Sequence, residues 1–243
     1  MSGRRVLDAL RSYPRRSPVT FGYVCLLLLT HAWVLYGLTA ERADELLRQV
    51  STNLDNLADH PVSAVLGSAL FFDGTLTDVT SLYFPATVIT LGLGVCCALA
   101  WAERRWGPLR AFGVFLAGHL GATLLTATVI TVALRQGWYA DDVRRALDYG
   151  ISYGAQTMMA AATLALPRLA RLPWALFVVA WPFGGAEWAG PLPDFTTVGH
   201  VLAAVLGLLL VLPPVARRLD RRPAPAPEGR DPGPRPHGRY GAR

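Results

Sequence analysis

A serine and a histidine, Ser152 and His200, are the residues of this chain whose types and placement could do chemistry. Ser152 lies in Asp148-Tyr149-Gly150-Ile151-Ser152-Tyr153-Gly154, and His200 closes Asp194-Phe195-Thr196-Thr197-Val198-Gly199-His200. Each stands a short way into a separate apolar run. A serine hydroxyl is a weak nucleophile until a base takes its proton, and a neutral imidazole does that near pH 7. No Asp or Glu lies at comparable depth in either run, so any catalysis would use a Ser-His dyad without a third member.

The elements that must position the pair are membrane helices. Of the 243 residues 52% are hydrophobic and 16% charged, against about 25% charged in soluble domains. Apolar runs of about twenty residues recur, the length that crosses the hydrocarbon of a bilayer. The sequence predicts an all-α, polytopic membrane protein with six spans, at about 18–40, 79–102, 109–134, 148–166, 172–188 and 194–214. Residues 1–17 form a basic arm, and residues 215–243 an Arg/Pro-rich tail expected to be disordered. Residues 41–78 form an outer loop whose half-apolar core, Val62 to Phe72, is too short to cross and suits an interfacial or re-entrant segment. Pro173 is expected to open the fifth span and Pro182 to kink it.

Charge sets the expected orientation. All 23 basic residues are Arg. With both termini in the cytosol, 18 of them fall inside, leaving Arg42, Arg48, Arg135, Arg144 and Arg145 outside. Spans four and six then both run inwards. Ser152 lies four residues past Asp148 and His200 six past Asp194, or about 6 and 9 Å deep at the helical rise. The net charge of +6 reads as topology signal and contact with membrane lipids, not as a nucleic-acid surface. The location expected is the plasma membrane.

Single residues have plain readings too. A serine in a membrane helix commonly bonds its own backbone. His31 and His119 also lie in spans and read as packed, hydrogen-bonded core residues. Cys25, Cys96 and Cys97 lack ligand or disulfide spacing, so no metal or other cofactor is expected. Small residues at Gly150, Gly154 and Ala155, and at Gly199, Ala203 and Gly207, let two helices approach closely.

Together these stretches resemble the rhomboid family of intramembrane serine proteases, in a divergent, actinobacterial-type branch. Gly150-Ile151-Ser152 resembles its G-x-S motif. Gly199-His200 with Ala203 and Gly207 is similar to its sixth-helix histidine motif, and Glu103-Arg104-Arg105-Trp106-Gly107 to its E-x-x-x-G stretch. The resemblance covers residues 18–214. It implies Ser152 as nucleophile, His200 as general base, and a transmembrane helix cleaved near the outer face as substrate. The family's Gly after the serine is Tyr153 here, followed by Gly154, and its histidine-stacking aromatic is Gln156. Its H-x-x-x-N in helix two corresponds to Thr87 and Leu91. Thr87, Ser81 or Tyr83, with backbone N–H groups near Ser152, would then hold the oxyanion. A silent relative that binds transmembrane clients is the rival expectation, and a small transporter or channel a third.

Overall fold

The computed structural model describes residues 3–220, with 82 and 189 excepted. Helices α1 (Gly3–Arg16), α2 (Pro18–Gly37), α3 (Ala40–Gln49), α4 (Leu54–Asp59) and α5 (Pro61–Ser68) come first. They are followed by α6 (Tyr83–Trp106), α7 (Pro108–Arg135), α8 (Ser152–Ala161), α9 (Arg168–Ala180), α10 (Phe195–Leu209) and α11 (Pro213–Asp220). The sole β-type pairing among the described residues is an isolated bridge from Trp188 to Pro193. The protein is all-helical.

Among the described residues three helices are long and apolar enough to cross a membrane: α2, α6 and α7. A fourth crossing arises if α10 and α11, bent by 73°, count as one. The run at 148–166 is helical only from Ser152, and a 3₁₀ turn, Ala162–Ala165, finishes it. The run at 172–188 starts earlier, at Arg168, so Pro173 sits inside α9, not at its start. That helix gives way to a 3₁₀ turn, Trp181–Gly185, which holds Pro182. Residues 215–220, at the head of the expected disordered tail, belong to α11. The remainder of that tail lies outside the described residues.

Glu103 shows how the sequence fixes helix ends. Pro18 stands at the first position of α2, where its missing N–H costs nothing. The next two donors, Val19 and Thr20 N–H, give to the buried Glu103 carboxylate at 3.0 and 2.8 Å, and the Thr20 hydroxyl adds a bond of 2.6 Å. Four residues on, Gly107 at φ +85 stops α6, and Pro108 opens α7 at once. The E-x-x-x-G stretch thus caps one membrane helix and turns between two others.

Helix α8 is the centre of the bundle. Every residue from Tyr153 to Ala161 is buried, against α6, α7 and α10. On the α10 side, a Cβ at Gly207 would stand 2.5 Å from the Ala160 methyl and closer still to the Thr157 carbonyl oxygen. A Cβ at Gly199 would collide with the Tyr153 ring. Ala203 is fully buried in the same face, and its carbonyl accepts the Thr157 hydroxyl at 3.1 Å. Backbone-to-backbone approach of this kind is what small residues allow in lipid, where hydrophobic drive between helices is absent.

Gly207→Ala is therefore expected to destabilise the protein by about 1–3 kcal/mol, the usual cost of overpacking. Gly22→Ala, where a Cβ would meet nothing within 4 Å, is expected to be near neutral. Unfolding titrations in mixed detergent micelles compare the two.

Candidate active site

Ser152 is the first residue of α8, not the second turn of a helix begun at Asp148. The cause is local and tertiary together. Gly150 takes φ +118, a conformation that L side chains rarely adopt. Its N–H is taken by Ser68 O at 3.1 Å, and that of Ile151 by Phe71 O at 3.1 Å. Ahead of them, Asp148 N–H donates to the Ser51 hydroxyl at 2.8 Å. Thr52 N–H gives to Asp148 O at 2.6 Å, and the Thr52 hydroxyl donates to the Asp148 carboxylate at 3.1 Å. These bonds hold Gly150 at a φ that is not helical, so α8 does not extend backwards through it. The depth reckoned from Asp148 by helical rise therefore does not apply.

The start of α8 has no side-chain cap. Among the described residues, nothing accepts from the N–H groups of Ser152, Tyr153 and Gly154. Helix N-termini carry a partial positive charge and unsatisfied donors, so this end can receive an anionic oxygen.

His200 sits in the second turn of α10. Asp194 caps that helix, its carboxylate accepting Thr197 N–H at 2.9 Å and the Thr197 hydroxyl at 2.7 Å. The His200 Nδ1 lies 2.7 Å from Thr196 O. A carbonyl only accepts, so Nδ1 carries the proton, and in the neutral ring Nε2 holds the lone pair. That is the tautomer a general base needs.

Two aromatic rings wall the imidazole, both edge to face: Tyr153 at 5.2 Å and Trp181 at 5.7 Å between centroids. Trp181 is held in turn. Its indole N–H donates to the buried Gln156 side-chain oxygen at 2.9 Å, and the Gln156 amide donates to Val178 O at 2.5 Å. Gln156, where the resemblance led one to look for an aromatic, instead anchors one supplied by the turn after α9. Nothing in the local sequence joins residues 156, 181 and 200, which is why spacing did not find this wall.

The packing of α8 on α10 thus brings His200 to the first turn of α8, but the ring it meets there is Tyr153. The Ser152 hydroxyl, part-buried, makes no hydrogen bond among the described residues, to His200 or to anything else. Tyr153 fills the space that Gly199 leaves, and its hydroxyl reaches the Asp148 carboxylate at a long 3.4 Å. The Thr87 hydroxyl donates to Tyr83 O at 2.8 Å and accepts Thr75 N–H at 3.1 Å, which ties it to the loop before α6. Ser81 accepts Tyr83 N–H at 3.2 Å, and Tyr83 is 61% exposed. Gly154 packs on Phe115. Of these groups, the free backbone donors of α8 are the ones at Ser152 itself.

Of the other span histidines, His119 is the packed, hydrogen-bonded core residue the sequence suggested, and His31 is half-buried. His119 is buried, its Nε2 3.0 Å from the Ser68 hydroxyl, while its Nδ1 has no partner among the described residues. His31 stacks on Phe72 at 4.3 Å. No group of three or more His, Cys, Asp or Glu among the described residues could hold a metal ion.

An all-helical membrane protein, with a histidine as hydrogen-bond acceptor set beside an uncapped helix start bearing serine, is the class that fold and site define. The chain matches the model of rhomboid-like proteins over residues 12–220 and belongs to that family. No curated protein and no solved structure matches it.

Asp148, in the loop ahead of α8, offers a pH test of the local clasp. Burial pushes its carboxyl up to about 6, against the lowering effect of the Thr52 and Tyr153 hydroxyls. A carboxyl raised in the folded state favours folding most below its ordinary value near 3.8, and that contribution is lost as pH rises to about 6. The stability difference between Asp148→Asn and the wild type is expected to shift in the variant's favour between pH 4 and 6. Above that it should be flat, as read by unfolding midpoints.

Proposed function

We propose that this rhomboid-like protein is an intramembrane serine protease that cleaves transmembrane helices near the outer membrane face. Ser152 is the nucleophile and His200 its base. The observation that carries the reading is the contact of the His200 ring with Tyr153, the residue after Ser152, together with the 2.7 Å approach of Nδ1 to Thr196 O, which favours a lone pair on Nε2.

In the reaction, Ser152 Oγ attacks the scissile carbonyl as His200 Nε2 takes its proton. The oxyanion settles on the free N–H groups at the start of α8. Collapse expels the amine, which leaves with the proton held by His200, and an ester to Ser152 remains. Water, deprotonated by His200, then hydrolyses that ester. The unmade hydrogen bond between hydroxyl and imidazole fits a resting site, since catalytic contacts are often long before substrate arrives. The arginine distribution supports cytosolic termini in the plasma membrane, which puts the start of α8 on the outer side.

A second reading has its own support. The family includes inactive members, and the Tyr153 side chain lies against the face of α10 that bears the histidine. In that reading the protein binds transmembrane clients without cutting them.

A fluorophosphonate probe on purified protein separates the two. The protease reading expects labelling that Ser152→Ala abolishes and His200→Ala lowers by about 10²–10⁴-fold, the range of general-base catalysis. Folded protein that takes no label supports the client-binding reading and ends the proposal.

A further inference from the structure

On the side of the bundle that carries Arg104, Arg105 and Arg171, α6 and α9 stand apart. Between them opens a slot of about 190 Å³. Leu93, Cys97 and Trp101 of α6 form one wall, Trp174 of α9 the other, and Ala165 and Leu166 after α8 the floor. The mouth is open, with Cys97 and Ala165 exposed. The polar handle of Trp174 is already used, its indole N–H donating to Met159 O at 2.9 Å. What remains inside is apolar.

The rim is different. Arg171, three residues before Trp174 on α9, donates from Nε to Leu166 O at 3.1 Å, the carbonyl of a residue that lines the slot. Among the described residues no carboxylate pairs with it. Arg105 stands 5.6 Å over the Trp101 ring but is neutralised by a two-pronged bond to Asp220. Arg171 is therefore a guanidinium without a carboxylate partner among the described residues, at the rim of an open apolar slot.

We propose that the slot binds an anionic phospholipid of the bilayer, one acyl chain between Trp101 and Trp174 and the phosphate on Arg171. A partner helix does not suit the space, because a helix with its side chains is about 10 Å across. A lipid supplies both halves of the chemistry, an apolar tail of small cross-section and a negative head held by a guanidinium, the group best matched to phosphate. The net negative charge matters because a zwitterionic head carries its own cation to the same rim. One Arg against an anionic surface contributes a preference of about five-fold. The inference stands whether or not the protein is a protease.

Native mass spectrometry of the full chain in detergent tests it, with phosphatidylglycerol and phosphatidylcholine of identical acyl chains as probes. The wild type is expected to retain one phosphatidylglycerol at about five-fold lower lipid concentration than phosphatidylcholine. Arg171→Ala should equalise the two lipids, Ala165→Trp should abolish retention of both, and Arg42→Ala should change neither. Equal retention of the two lipids by the wild type overturns the proposal without recourse to any variant. A preference that survives Arg171→Ala, or retention that survives Ala165→Trp, also overturns it.

Discussion

The contact of α10 on α8 is the constraint from which the candidate site follows. At Gly199 and Gly207 there is no room for even a methyl group, and at Ala203 a methyl just fits. In lipid, where apolar surface gains little by leaving its surroundings, such approach is held by van der Waals packing and by bonds such as Thr157 to Ala203. Because Gly199 directly precedes His200, the residue that permits the approach also delivers the imidazole to the start of α8. A histidine one helical face away would look into acyl chains.

A second set of contacts, made by polar loops, decides where α8 begins. Ser51 and Thr52 hold Asp148, while Ser68 O and Phe71 O hold the N–H groups of Gly150 and Ile151. These bonds hold Gly150 out of the helical conformation, and they leave Ser152 at the uncapped end of α8. Glu103 does the same kind of work at the opposite face, closing the start of α2 from within α6. In both places a buried segment's backbone donors are satisfied by residues far away in sequence, as an environment without water demands.

This division explains what the sequence could reveal. Membrane character, helical class and the small-residue face of α10 are local patterns, legible from residue types and spacing. The beginning of α8 was not, because Gly150 departs from helix through bonds to residues 68 and 71. Trp181 as the second wall of His200 depends on Gln156 and Val178 meeting across three elements. Thr87 looked free in sequence and is tied to Thr75 by a loop whose path no periodicity encodes. Hydropathy around 150 and 180 does not show where the helices pass into the 3₁₀ turns at Ala162 and Trp181.

Catalysis at this site requires the His200 lone pair to lie within proton-transfer reach of position 152. Placing a thiol there tests it without substrate. In a background with Cys25, Cys96 and Cys97 replaced, the alkylation rate of Ser152→Cys is followed from pH 6 to 8, with and without His200→Ala. A thiol next to a basic imidazole ionises early and reacts below its ordinary range, so the account predicts fast alkylation near pH 6.5 that collapses when the histidine is removed. The same slow, ordinary thiol profile in both proteins would contradict it.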